Sequence, residues 1–279
     1  MICWICNQKE ANSEEHKFKA SDIRRNFGKK FDAIYYNGSL HSFHSEKDKI
    51  IKFPKVICID CNNNKTRDAD DAYTEFFENF ETINSSIESN GQIDYEKIFG
   101  IKWKEKKVDL YRYFAKHAGC KIITGNITEK IDLSKLSAFI LGSTNIDNFY
   151  LKIYFNPVTK AFTNQLKTLK GGRYKSNDAF GSTIYLIKDN NLLFCGCIIK
   201  GSLRIEWFYS NNNSFNKKNN FEMSLENVII LNNEEFYPKS FYDFKIEDQM
   251  TYLNFGKFYL NEELEYSHYS SEIDELLRR

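Results

Sequence analysis

The chain has 279 residues, 42% of them hydrophobic and 28% charged, which is enough apolar material for a sizeable core and excludes wholesale disorder. Its net charge of +1 excludes a global basic field, so a role on nucleic acid would have to come from locally placed charge. The longest apolar run, Leu192 to Ile199, is a strand's length and well short of the roughly 18 residues that a membrane span needs.

In chain order, residues 1 to about 57 read as loops and short strands. Cys3 stands where the charged start of a secretory leader belongs, so none is expected. Lys17, Lys19, Arg24, Arg25, Lys29 and Lys30 form a basic run opposed only by Asp22. Ala33 to Phe43 places Ile34, Tyr35, Tyr36, Leu40 and Phe43 around Asn37-Gly38, a hairpin pattern. Next, Ala69, Ala72, Tyr73, Phe76, Phe77, Phe80 and Ile83 recur at helical spacing and predict an amphipathic helix. Asn84 to Gln92 is polar and ends in Asn-Gly, which marks it as a linker. A second helix is expected over Lys107 to Ala118, with Leu110, Tyr111, Phe114 and Ala118 on one side.

The period then changes to two. Leu151, Ile153 and Phe155 alternate with Tyr150, Lys152 and Tyr154, and Leu203, Ile205 and Trp207 alternate with Arg204, Glu206 and Phe208. Thr183 to Lys188 and Leu192 to Ile199 meet at Asp189-Asn190-Asn191, a hairpin turn. The fold class is therefore α+β, with a mainly antiparallel, β-rich second part carrying a few helices. Residues 1–85 and 86–279 are the expected division. No repeat of fixed period is visible.

Seven cysteines is an odd number, and four of them form Cys3-x-x-Cys6 and Cys58-x-x-Cys61. Each such knuckle presents two thiolates from one tight turn, and two knuckles complete a tetrahedral zinc shell with no open position. A structural Zn²⁺ in a reducing, cytoplasmic compartment is the expectation. The knuckles are separated by more chain than an ordinary zinc ribbon uses, so an insertion lies between them and the chemistry is expected there.

Around these knuckles stand CWIC, then EEHKFKASDIRR, then CIDCNNNKTRDADDAY. The combination resembles the zinc-stapled HNH endonucleases over about residues 1–80. The resemblance implies a ββα-metal module that hydrolyses phosphodiester bonds in double-stranded DNA. It implies His16 as general base and Glu15 as ligand of a catalytic Mg²⁺ or Mn²⁺, with the remaining ligands on the helix after Cys61. An imidazole titrating near neutrality can take a proton from water, and an oxygen-bound cation can neutralise the scissile phosphate. On a helix starting near Asp60, Asn63, Arg67 and Asp70 share one face. Asn63 and Asp70 then meet Glu15, and Arg67 points at phosphate. Asp68 and Asn62 are rival ligands, although Asn62, directly after the knuckle, is expected rather to orient the loop by bonding backbone. Lys17, Lys19, Arg24, Arg25, Lys65 and Arg67 are the expected DNA contacts. The sequence departs from the family where a His or Asn should follow the last cysteine by six or seven residues. Arg67 or Asp68 stands there, and an Arg would repel a cation.

His41 and His44 are read as sheet-edge residues, Cys195 and Cys197 as core thiols on one strand face, and Lys170-Gly171-Gly172-Arg173 as a turn. His117, His268 and Cys120 have no partner legible in the sequence. The HNH resemblance also implies a setting in restriction or phage defence, with the second part serving recognition, homodimerisation or contact with a partner protein. The competing expectations are a zinc-stapled nucleic-acid-binding protein without catalysis, and a sensor whose sheet binds a ligand.

Overall fold

A computed structural model of the chain describes residues 1–29, 31, 33–36, 40–90, 92–125, 131–144, 146–155, 179–180, 184–188, 191–200, 203–210 and 228–230. The arrangement is mixed α+β. Near the N-terminus two extended segments run antiparallel, with Ser13 opposite Ile57 and His16 opposite Lys52. Backbone hydrogen bonds hold them: Ser13 N–H to Ile57 O at 2.9 Å, Phe53 N–H to Glu15 O at 2.8 Å and Lys17 N–H to Ile51 O at 2.9 Å.

The insertion between those segments contains α1 (Ala20–Phe27), β1 (Ala33–Tyr36) and β2 (Leu40–Phe43). The strands form the expected antiparallel hairpin, Ala33 opposite Phe43 and Tyr36 opposite Leu40, while Asn37-Gly38 itself lies outside the described residues. α1 stops at Gly28, whose φ of 82° suits a residue without a Cβ and whose N–H reaches back to Arg24 O. Ile23, Phe43 and Ile51 give the insertion a small core of its own, with Phe18, Phe27 and Phe31 packed on it.

Helix begins directly after Cys58, widens into a π-helical turn over Cys61–Lys65 and continues as α2 (Arg67–Asn90). Thr66 Oγ1 donates to Cys61 O at 2.9 Å and to Asn62 O at 3.1 Å, so a side chain supplies a donor for carbonyls inside the wide turn. Ala69, Ala72, Tyr73, Phe76 and Phe77 are buried, as their spacing predicts, and the side chains of Phe80 and Ile83 lie outside the described residues. α2 continues through residues 84–90 of the segment expected to be a linker, and Gln92 already belongs to the next strand. No Gly or Pro occurs within α2, and each residue added to a helix already anchored by packing costs only some tenths of a kcal/mol.

β3 (Gln92–Asp94) leads into α3 (Tyr95–Phe99), capped by Asp94, whose carboxylate accepts from the N–H groups of Glu96 and Lys97 at 3.1 Å each. α4 (Trp103–Ile123) extends beyond the expected helix at both ends, and every residue from Tyr113 to Cys120 is buried. A helix stretch buried on every side must be surrounded by other elements. α2 covers one side, where the rings of Tyr73 and Tyr113 lie 4.0 Å apart. The first cysteine knuckle covers another: a Cβ on Gly119 would fall 2.2 Å from the Trp4 ring, so glycine is what lets the indole lie on the helix backbone. α5 (Ser134–Ile140) closes the same end, with the Ser137 hydroxyl donating to Ile5 O.

The remaining strands are β4 (Phe149–Phe155), β5 (Ala179–Phe180), β6 (Ile184–Lys188), β7 (Asn191–Lys200), β8 (Leu203–Ser210) and β9 (Val228–Ile230). The first five form one antiparallel sheet in the order β4-β8-β7-β5, with β6 also paired to β7; β9 pairs with β3. Of the alternating apolar set, Leu151, Ile153, Leu203, Ile205 and Trp207 are buried, and the side chain of Phe155 lies outside the described residues. Glu206 and Phe208 are buried too, which shows that β8 is covered on both faces. Cys195 and Cys197 lie on β7, and their side chains, like all of His268 and the Lys170–Arg173 turn, fall outside the described residues. One hydrophobic cluster joins Cys3, Phe53, Phe76, Phe114, Phe139, Leu151 and Trp207, so the core is continuous across residue 85.

Candidate functional site

Two features meet at the start of α2. The first is the cysteine cluster. The Sγ atoms of Cys3, Cys6, Cys58 and Cys61 all lie within 4.8 Å of one another, and Cys6 Sγ stands 3.8 Å from Cys58 Sγ. A tetrahedral zinc with sulfurs at about 2.3 Å has S–S edges of about 3.8 Å, so the donors match the ion in kind and number, and the Cys6–Cys58 distance matches one edge. The two turns are built for it: Asn7 takes a φ of 50° and its N–H bonds Cys3 O at 2.8 Å, while Cys61 N–H points at Cys58 Sγ at 3.4 Å. Burial pushes the Cys3 and Cys61 thiols up; at Cys6 burial is outweighed by the N–H groups of Lys9 and Gln8, which bring its thiol down to about 6. These four cysteines could hold a structural zinc ion. Lys9 and Asp60, paired at 2.9 Å, fasten the two knuckles from outside.

The second feature is a buried polar network. Lys116 Nζ, from the middle of α4, lies 2.9 Å from Asp70 Oδ2, 3.3 Å from Glu15 Oε2, 3.4 Å from Thr66 Oγ1 and 3.5 Å from Asn62 Oδ1. Lys19 Nζ closes on the other side of Asp70, 2.7 Å from Oδ1 and 2.9 Å from its backbone O, and lies beside the paired rings of Tyr73 and Tyr113, 5.6 and 5.2 Å from their centroids. Burial disfavours charge on Lys116, but Glu15 and Asp70 outweigh it and hold the ammonium protonated well above the ordinary lysine range. Burial likewise raises Asp70, and Lys116 with Lys19 more than reverses that.

Glu15 and Asp70 are thus brought together, as the sequence reading requires. Asn63 does not join them and is exposed, as are Arg67 and Asp68. The π turn is the reason. It takes more residues per revolution than an α turn, so positions 62, 66 and 70 come into line in place of 63, 67 and 70. Asn62 also donates through Nδ2 to Ser13 Oγ at 3.0 Å and Glu14 O at 3.2 Å, the loop-orienting role expected of it. Thr66 and Lys116 were not foreseen. The one sequence cue for Lys116 is a lysine inside an otherwise apolar helical stretch, which demands a buried anion.

His16 leaves its segment on the opposite side from Glu15, as successive residues of extended chain do. Its Nε2 is 2.9 Å from Glu46 O; a carbonyl only accepts, so Nε2 carries the hydrogen and Nδ1 is the basic atom. Burial is the largest influence on His16 and lowers its pKa despite the Glu46 carbonyl and the Glu15 charge, which keeps the ring neutral near pH 7. Among the described residues, the four cysteines are the only group of three or more His, Cys, Asp and Glu side chains close enough for a shared ion; His16, Glu15 and Asp70 do not form one.

The basic residues divide. Lys17 donates to Ile50 O at 2.8 Å and Lys19 belongs to the Asp70 network, so both are directed inward. Arg24 pairs with Glu46 at 3.4 Å, Arg25 with Asp22 at 2.6 Å, and Lys65 lies 3.9 Å from Asp60; these three and Arg67 remain exposed. His117 is a core residue: Nε2 donates to Lys17 O at 3.0 Å, the ring meets Phe53 edge-on, and burial brings its pKa down to about 3. His41 sits on β2 opposite Tyr35, and His44 N–H bonds Asp48 at 2.7 Å. Cys120 is buried in α4.

No protein-family model matches this chain, and no curated protein or solved structure matches it either.

Proposed function

We propose that residues 1 to about 85 are an HNH-type ββα module acting on double-stranded DNA as an endonuclease, with the zinc knuckles as its staple. The observation that carries the reading is the shared frame: two antiparallel segments bearing Glu15-His16 lead directly through the second knuckle into a helix, and Asn62 and Asp70 of that turn and helix converge with Glu15 on one positive centre. In this reading Nδ1 of neutral His16 takes the proton from the attacking water, and Glu46 O fixes the ring through Nε2. Arg24, Lys65 and Arg67 offer the exposed positive charge to the DNA backbone. The oxygen donors around Lys116 do not fit a divalent ion while the ammonium stands among them, and no step is assigned to a metal.

That same ammonium favours a second reading, in which the module binds DNA without cutting it. Nicking of supercoiled plasmid, run beside a gel shift on the same DNA, separates the two. Cleavage abolished by His16→Ala at unchanged zinc content supports the nuclease. Binding without nicking, indifferent to His16→Ala, replaces it with the binder. The β-rich part, in either reading, would serve recognition, self-association or contact with a partner.

A further inference from the structure

We propose that the Lys116 ammonium is the resident cation of the Glu15–Asp70 site, standing where a divalent ion would otherwise sit, so that the folded chain neither needs nor admits a metal there. The inference rests on the HNH-type reading of the frame and specifies what occupies its ionic centre.

Three observations carry it. The first is coordination. Four oxygens from three segments surround Nζ at 2.9 to 3.5 Å, and two of them are carboxylates. That is a hard-oxygen donor set of the kind Mg²⁺ or Mn²⁺ takes, expanded by roughly 1 Å per ligand to the larger radius of an ammonium. The second is charge. Glu15 and Asp70 carry two negative charges, and Lys116 and Lys19 carry two positive ones, so the buried network is already neutral. Adding a divalent ion to a neutral site whose Lys116 and Glu15 are buried, and whose Lys19 and Asp70 side chains are 17% and 24% exposed, leaves an uncompensated double charge, which such partial desolvation penalises.

The third is immobility. A lysine near a helix end could swing aside for an incoming ion, but the Lys116 side chain is 1% exposed and leaves α4 between Ala115 and His117, both buried. Its helix is pinned by Tyr113 against Tyr73, by His117 on Lys17 O and by Gly119 against Trp4. Withdrawing the ammonium means unpacking the helix. The substitution therefore belongs to the native state and is not a gate.

The test is Mn²⁺ titration of the zinc-loaded full-length chain, followed by the electron paramagnetic resonance of free Mn²⁺ and by thermal melting. Wild type is expected to take up no Mn²⁺ beyond the zinc complement at millimolar concentration and to show no shift in Tm. Lys116→Ala, which vacates the ammonium position and leaves a net negative site, is expected to bind one Mn²⁺ at least tenfold more tightly than wild type. Its Tm should rise with Mn²⁺, and both effects should vanish in Lys116→Ala/Asp70→Asn. Uptake of one Mn²⁺ by wild type that Asp70→Asn removes would overturn the proposal, and so would a folded Lys116→Ala chain that ignores Mn²⁺. If Lys116→Ala does not fold even with Mn²⁺ present, the wild-type titration decides alone. Because the readout is binding, the two proposals fail separately. Mg²⁺-dependent cleavage by wild type, lost in Asp70→Asn, upholds the nuclease and sinks the resident ammonium. A wild type that never cuts DNA and ignores Mn²⁺ does the reverse.

Discussion

Replacing Lys116 by methionine keeps the stem's volume and removes the charge, which isolates the electrostatic part of the network. The consequence follows from which partners remain. Asp70 keeps Lys19 at 2.7 Å, whereas Glu15, 7% exposed, loses the ammonium at 3.3 Å and is left as a buried carboxylate. Breaking a buried pair from one side costs about 3–5 kcal/mol, mostly the penalty on the orphaned charge. Lys19→Met should cost less, about 1–2 kcal/mol, since Asp70 retains Lys116. Adding Glu15→Gln to Lys116→Met removes the orphan and should return about 1–3 kcal/mol, although Glu15→Gln alone destabilises. The assay is urea denaturation in zinc-containing buffer, followed by circular dichroism, with wild type, Lys116→Met, Glu15→Gln and their combination analysed as a double-mutant cycle and Lys19→Met compared beside it. Equal costs for Lys19→Met and Lys116→Met, or additivity of Lys116→Met with Glu15→Gln, would refute the reasoning.

Cys58→Ser, which deletes one of four sulfurs within 4.8 Å of one another, is expected to abolish stoichiometric zinc and the cooperative melt of the N-terminal part, because structural zinc affinity is itself folding free energy; elemental analysis and calorimetry check both. Gly119→Ala places a Cβ 2.2 Å from the Trp4 ring and should cost about 1–3 kcal/mol with a change in Trp4 fluorescence, partly recovered by Trp4→Leu; an unshifted urea midpoint contradicts the close approach. The pKa of His117 is lowered from 6.5 to about 3, so above pH 6.5 it is neutral in both folded and unfolded chains and stability is unaffected. As pH falls from 6.5 toward 3 only the unfolded chain takes up this proton, and stability should drop by up to ~1.4 kcal/mol per pH unit. His117→Gln should remove that slope while wild type keeps it; parallel pH profiles for the two would show that His117 is not the group responsible.

The cysteine spacing by itself determined the four-sulfur cluster, because two C-x-x-C turns can hold a tetrahedral ion in only one general way. Periodicity determined the apolar faces of α2 and of β4 and β8, and Asn37-Gly38 between alternating residues determined the β1–β2 pairing. These are local properties, set by repeats of 3.6 and 2 residues. The polar Asn84–Asn90 stretch misled for a related reason: composition describes a residue's preference, while a helix already held by Tyr73, Phe76 and Phe77 carries its preference forward. Glu15 and Asp70 were legible as partners and Asn62 as a loop-orienting residue or rival to Asn63, but Thr66 and the choice of Asn62 over Asn63 were not, since a π turn shifts the facing set by one residue and leaves no mark in apolar spacing. The partners of Lys116 belong to tertiary structure alone. Lys116 is 46 residues from Asp70 along the chain, and only the packing of α4 on α2 and the first knuckle places its charge between two carboxylates. A pattern read along one element cannot report a charge delivered by another, because burial and counter-charge are decided by what the fold brings together.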